Sequence, residues 1–133
     1  MPDLGLQDCV RFVGYVPWNR VYEHMSEFSV LVNTQTSGAL GMVNLEAYAC
    51  RVPVVAFDVD GFRKTLIPHF TGLLARPYSA SDLAAKIQEL LLDHDLRRRL
   101  GEHGHRLVTE RFSIGDQVKL LERTYLAVLR MGG

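Results

Sequence analysis

Ser29-Val30-Leu31-Val32-Asn33-Thr34 runs into Gln35-Thr36-Ser37-Gly38-Ala39-Leu40-Gly41, and that run leads into Met42-Val43-Asn44-Leu45-Glu46-Ala47-Tyr48-Ala49-Cys50. The first piece is a continuous apolar, β-branched run, the pattern of a strand covered on both faces. The second is a small-residue loop, and the third reads as a helix over 42–50. Strand, loop and helix in that order make one βα unit of an open parallel sheet. Downstream the unit repeats in outline. Val52-Pro53-Val54-Val55-Ala56-Phe57 reads as another buried strand, with Pro53 at its start where a missing N–H is tolerated. Asp58-Val59-Asp60-Gly61 is a turn, Phe62 to Ile67 a short helix stopped by Pro68, and Gly72-Leu73-Leu74-Ala75 a last short strand. Upstream, Cys9 to Gly14 reads as a short strand ending at a Gly turn. Pro17 to Phe28 then carries Val21, Tyr22, Met25 and Phe28 at helical spacing.

Beyond the last strand the pattern becomes helical. Ser79-Ala80-Ser81-Asp82 can cap a helix whose apolar stripe is Leu83, Ile87, Leu90 and Leu91. Two more helices are expected over about 95–112 and 115–131, with Ser113 as the cap of the last. The expected fold is α/β: a Rossmann-like parallel sheet of about four strands, helices on both faces, and a helical C-terminal tail. The 133 residues suit one domain, with a core over about 9–93 and the tail over about 94–131.

Composition narrows the class of function. Hydrophobic residues make up 47% and charged residues 23%, enough apolar side chain for a packed core. The formal net charge is zero, so no bulk electrostatic footprint for nucleic acid is present, although Arg97, Arg98 and Arg99 sit together. Cys9 and Cys50 read as reduced thiols of a cytoplasmic protein. The histidines show no metal-ligand spacing with them, and His103 and His105 read as solvated surface residues. No apolar run reaches the length of about 18 residues that a membrane span needs, and Met1-Pro2-Asp3 does not open a signal peptide.

In an open parallel sheet, ligands bind outside the carboxyl ends of the strands. Three loops fall there: Gly14-Tyr15-Val16, 33–41 and 58–61. The middle one is the most informative. The N–H groups of Gly41, Met42 and Val43, at the positive end of the following helix, make an anion site suited to a diphosphate. Gly38 and Gly41 let a ligand approach the backbone closely. Glu46, one turn along an otherwise apolar face of Met42, Leu45 and Ala49, is placed to accept hydrogen bonds from sugar hydroxyls. No Gly-Lys-Ser/Thr and no G-x-G-x-x-G follows the strand, so ATP hydrolysis and dinucleotide binding lose ground.

These segments together resemble a known family. Val10 to Val16, Ser29 to Thr34, Gly38 to Ala47, Val52 to Gly61 and Thr71 to Leu74, in that order and spacing, look like the carboxy-terminal domain of GT-B glycosyltransferases of family 4. The resemblance covers about 6–125. It implies two Rossmann-like domains facing a cleft, with this half holding a nucleotide-diphosphate-sugar donor. It implies a metal-independent retaining hexosyl transfer to a glycan, lipid or small-molecule acceptor. Gly41, Met42 and Val43 would then hold the diphosphate through N–H groups. Glu46 matches the second glutamate of the E-x7-E motif and would bind the ribose, while Gly14 and Tyr15 match the loop beside the base. The sequence departs from the pattern at Gly38, where the first glutamate would contact the donor sugar. It departs again at Asp60-Gly61-Phe62-Arg63-Lys64, where Gly-Gly and a later Glu are usual.

The resemblance also implies an opening strand, loop and helix, with basic diphosphate ligands, and a whole acceptor domain, none of which this sequence contains. The expectation is therefore a truncated donor domain, inactive alone, self-associating through an uncovered edge or tail, and touching membrane only through missing parts. A non-catalytic nucleotide-binding or assembly module on the same fold is the alternative. A receiver-like domain, suggested by Asp58 and Asp60 after a strand, is opposed by the all-helical end of the chain.

Overall fold

The computed structural model describes residues 4–37 and 40–131. Three parallel strands form the sheet, in the order β1 (Leu31–Asn33), β2 (Val54–Phe57), β3 (Gly72–Ala75). Leu31 pairs with Val54 across one ladder and Val54 with Gly72 across the next. Helix α1 (Val21–Met25) precedes β1, continuing a 3-10 turn at Trp18–Arg20. Helix α2 (Met42–Ala49) joins β1 to β2, and only a 3-10 turn at Phe62–Lys64 lies between β2 and β3. The chain ends in α3 (Ala80–Leu92), α4 (His94–Arg111) and α5 (Ile114–Met131).

The α/β class, the parallel sheet, the helices on both faces and the helical end match the sequence reading. All four residues of β2 are buried, as its unbroken apolar run requires. Its side chains alternate between two cores. Val54 and Ala56 pack with Leu45, Tyr48, Phe62 and Leu66 on the α2 side. Val55 packs with Leu73, Leu90 and Leu100 on the α3 side. Helix α4 serves both, with Leu100 in the second core and Val108 against the first, where Phe112 joins it just past the helix end. Ser79 caps α3 as expected, its Oγ accepting the Asp82 N–H at 3.3 Å.

One expected strand does not form. Residues 10–17 are irregular, with Val10, Phe12 and Val13 exposed, so the sheet has three strands where about four were expected. A strand exists through its ladder, and among the described residues β1 pairs with β2 on one side only. The helix expected over 17–28 shortens to α1 and its 3-10 lead-in, and that over 62–67 to a single 3-10 turn.

Helix α2 ends in a Schellman motif built on an unusual residue. The Val52 N–H donates to the Ala47 carbonyl at 2.9 Å and the Arg51 N–H to the Tyr48 carbonyl at 3.0 Å. Arg51 therefore takes φ 60°, a left-handed conformation that glycine adopts without penalty. Its ion pair to Glu102, at 3.8 Å, is exposed on both sides and contributes little. Arg51→Gly is thus expected to stabilise the domain by about 0.5–1 kcal/mol, the relief of left-handed strain less the entropy glycine adds to the unfolded chain. Urea unfolding reads this as a higher midpoint at unchanged slope.

His103 and His105 are not free surface residues, contrary to the sequence reading. His105 Nδ1 meets the Ala49 carbonyl at 3.1 Å, at the exposed end of α2. His103 Nδ1 meets the Phe70 carbonyl at 3.0 Å, and its ring stacks on Phe70 with centroids 4.2 Å apart. Both are half-buried, because α4 lies directly over α2 and the loop before β3. In α5, by contrast, every side chain from 114 to 127 is exposed, including Ile114, Val118, Leu121 and Tyr125.

Candidate functional site

Helix α2 begins at Met42 after Gly41, which holds φ 70° and ψ 57°. The first N–H groups of a helix have no carbonyl one turn back to receive them. The Asn44 N–H turns to the Gly41 carbonyl at 2.9 Å. No side chain caps the Gly41, Met42 and Val43 end, and no acidic residue lies in the first turn. Helices α3 and α4 differ: Ser79 and Asp93 cap them, and each has an acid in its first turn. The positive end of α2 is left uncompensated. Gly41 is required twice over. Its φ suits glycine, and a Cβ there would stand 2.8 Å from Asn44 Nδ2 and 2.9 Å from Phe62 Cδ1.

A buried amide pair anchors this turn to β1. Asn33 Nδ2 donates to Asn44 Oδ1 at 3.0 Å, and Asn33 Oδ1 accepts the Gln35 N–H at 3.1 Å. The strand end and helix start are thereby fixed to one another. Asn44 Nδ2, fully buried, has no acceptor among the described residues and lies against Gly41. A donor left this way normally costs about 1–3 kcal/mol, so its persistence at an anion-attracting helix end is notable in itself.

Glu46 stands one turn into α2, exposed, on the rim of a recess of about 260 Å³ between α1 and α2. Trp18, Tyr22, Met25 and Cys50 form its walls. Burial pushes the Cys50 thiol above its ordinary value; the Ser26 hydroxyl opposes this and the Glu46 carboxylate adds to it. Gly14 holds φ 75° and Tyr15 is exposed, and neither lines this recess. The aromatic wall beside Glu46 is Trp18 and Tyr22, four residues apart on consecutive turns. The sequence marks Tyr22 only as one of the helically spaced residues of 17–28, and Trp18 not at all. Gly38 lies outside the described residues.

The loop after β2 packs on the start of α2. Besides Phe62 against Gly41, Thr65 Oγ1 donates to the Leu40 carbonyl at 3.0 Å. Arg63 does not reach toward Gly41–Val43 as a free cation. It grips Asp58 with two parallel bonds of 2.7 Å, Nε to Oδ1 and Nη2 to Oδ2. That grip holds the Asp58 carboxyl below its ordinary range. Lys64, next along the turn, is exposed and makes no ion pair among the described residues.

Comparison with known proteins decides the family. Residues 1–107 match the family model of the glycosyl transferases group 1. The chain belongs to that family. As a member it is 37% identical over 95 residues to an uncharacterized glycosyltransferase of Methanocaldococcus jannaschii, a match spanning 71% of this chain and 27% of that protein. It superposes on sucrose-phosphate synthase from Thermosynechococcus elongatus with a TM-score of 0.82 at 34% identity, over 96% of this chain and 33% of that one. HepE of Anabaena, solved in complex with UDP, gives a TM-score of 0.89 at 23% identity, over 95% of this chain and 34% of that one. The group 1 domain described here is therefore the carboxy-terminal GT-B domain anticipated from its motifs. It spans about a quarter to a third of the length of these relatives.

Proposed function

We propose that this domain is the donor-binding half of a retaining glycosyltransferase, which holds a nucleotide-diphosphate sugar whose hexose passes to a glycan, lipid or small-molecule acceptor. The uncapped, acid-free start of α2 behind a left-handed Gly41 carries this reading. The diphosphate sits against the N–H groups of Gly41, Met42 and Val43, where the helix dipole favours negative charge without a metal ion. The buried Asn44 Nδ2 adds donor character at the same end. Glu46, one turn on, takes the ribose hydroxyls, and the recess walled by Trp18 and Tyr22 lies beside it to receive the base. HepE, which shares the fold, has been solved with UDP and with UDP-glucose.

Catalysis in this account is positioning of the donor and stabilisation of the leaving diphosphate. The acceptor comes from a second domain, so the domain alone binds without turning over. The parent acts at the cytoplasmic side, and any membrane contact is made outside this domain; no helix among the described residues is long and apolar enough to cross a membrane.

Isothermal titration with UDP, GDP and ADP tests the reading and names the base. Saturable binding of one nucleotide is expected, weakened by about 1–3 kcal/mol in Glu46→Ala, the loss of a charged hydrogen-bond partner. Binding that ignores Glu46→Ala would remove the ribose from this site. No binding of any of the three at millimolar concentration would remove the donor reading.

A second reading, an assembly module, is favoured by one observation. The apolar side chains of α5, Ile114, Val118, Leu121 and Tyr125, recur at three- and four-residue steps and are all exposed. Self-association through this stripe predicts a concentration-dependent mass in sedimentation, abolished by Leu121→Glu.

A further inference from the structure

The outward face of α4 carries a recess that donor binding does not use. Asp95, Arg98, Arg99, Glu102, His103 and Arg106 line a hollow of about 530 Å³. These positions recur at three- and four-residue steps, so they share one side of the helix, away from the buried Leu100, Gly104 and Leu107. His103 rests on Phe70, just before β3, and Glu102 faces Arg51, just before β2. The recess therefore lies toward the amino ends of the strands, whereas α2 starts beyond the carboxyl end of β1.

The charges of this face differ in how far they are already used. Arg98 Nη2 lies 3.5 Å from Asp95 Oδ1, and Arg51 Nε lies 3.8 Å from Glu102 Oε2, so each acid of the recess has a cation beside it. Arg97 is turned elsewhere, its Nη1 donating to the Leu90 and Leu91 carbonyls at 3.3 Å. Arg99 and Arg106 are exposed and make no hydrogen bond or ion pair among the described residues. They stand two turns apart with His103 between them. The His103 ring is held by its stacking on Phe70. Its Nδ1 faces the Phe70 carbonyl at 3.0 Å, so that nitrogen carries the hydrogen and Nε2 is the one left for a ligand.

This arrangement selects among anions. Two unpaired guanidinium forks call for a ligand with more than two acceptor oxygens, because a carboxylate is satisfied by one fork. A phosphate monoester presents three such oxygens and can meet both. An extended polyanion fits poorly. A nucleic acid or an anionic bilayer would lay its charge along Asp95, Glu102 and the exposed Glu110 of the same helix as well. We propose that this recess is an accessory site for the phosphate monoester of a small molecule, gripped by Arg99 and Arg106 beside the His103 ring. The site is independent of donor binding: it shares no residue with Gly41–Val43 or Glu46 and lies toward the other edge of the sheet.

The test titrates the ¹⁵N-labelled domain with inorganic phosphate, the ionic strength being held constant with sodium chloride. The Arg99, His103 and Arg106 amides are expected to shift saturably. Arg99→Gln and Arg106→Gln are each expected to weaken phosphate about tenfold on α4, the loss of one charge-assisted partner, and to leave the urea midpoint in place because both side chains are exposed. Phosphate that also shifts the Gly41, Met42 and Val43 amides is expected to do so equally in parent and variants, so the two sites stand or fall separately. Acetate is expected to bind α4 at least tenfold more weakly than phosphate. Shifts on α4 that do not saturate, or that both glutamine variants leave unchanged, would overturn the site, since diffuse positive charge would then account for them. Acetate as tight as phosphate would overturn the choice of ligand. Co-sedimentation with phosphatidylglycerol vesicles that Arg99→Gln abolishes would overturn the small-molecule assignment in favour of a membrane.

Discussion

Tyr48→Ala is expected to destabilise the domain by about 4 kcal/mol, the range seen when a large buried aromatic is truncated. Tyr48 is fully buried in α2 and packs in the core beneath β2. Its hydroxyl lies 3.1 Å from Thr71 Oγ1, which also accepts the Ile67 N–H at 2.9 Å. That contact ties α2 to the turn before β3, and burial keeps the phenol protonated far above its ordinary range. Tyr48→Phe loses only the hydroxyl and is expected to cost about 1 kcal/mol, because Thr71 keeps its second partner. A sharper form of the prediction involves α4. A Cβ on Gly104 would collide with the Tyr48 ring, and one on Gly101 with the Arg51 carbonyl. Gly104→Ala alone sets about 3 kcal/mol of overpacking against about 1 kcal/mol of better helix propensity, a net loss of about 2 kcal/mol. In the Tyr48→Ala background the ring is gone and the same change becomes stabilising. A double-mutant cycle by urea unfolding is expected to show a coupling of about 3 kcal/mol. Additive effects would mean that α4 does not seat on Tyr48.

Gly41→Ala is the second large effect, about 3 kcal/mol. An alanine pays about 1 kcal/mol for the left-handed φ of 70°. The rest comes from a Cβ pressed against the Phe62 ring and the Asn44 amide, both fully buried and unable to swing away. Gly14 supplies the control. Its φ is 75° and nothing lies within 4 Å of a Cβ there, so Gly14→Ala is expected to cost only the backbone part, about 1 kcal/mol. Unfolding midpoints of the two variants separate conformation from packing. Gly41→Ala is also expected to lower nucleotide affinity well beyond tenfold, since the N–H groups of Gly41, Met42 and Val43 are moved.

Much of this was legible from local patterns. The unbroken apolar run at 52–57 announced a strand buried on both faces, and β2 is that strand. Ser79 announced a helix cap, and its hydroxyl makes the capping bond. Helix α2 begins where the small-residue loop gives way to Met42. What failed depended on partners distant in sequence. Val10, Phe12 and Val13 carry strand character, but periodicity reports the character of a segment and says nothing of what pairs with it. His103 and His105 sit two apart on a helix, which suggested separate solvated faces. Both rings instead find carbonyls, of Phe70 and Ala49, on elements that α4 overlies. Nothing local to Arg63 marks Asp58 as its partner, because its two bonds to Asp58 depend on how the turn after β2 closes. Trp18 and Tyr22 became a wall beside Glu46 only once α1 was laid against α2.

If the start of α2 takes the diphosphate, its own amides must report the ligand. The most direct measurement follows the backbone amides of the ¹⁵N-labelled domain as UDP, GDP and ADP are added. One of these is expected to shift the Gly41, Met42 and Val43 amides saturably, with smaller movements around Glu46 and Trp18. Saturable binding that leaves those three amides unmoved and shifts others, such as the arginine-rich face of α4, would contradict it.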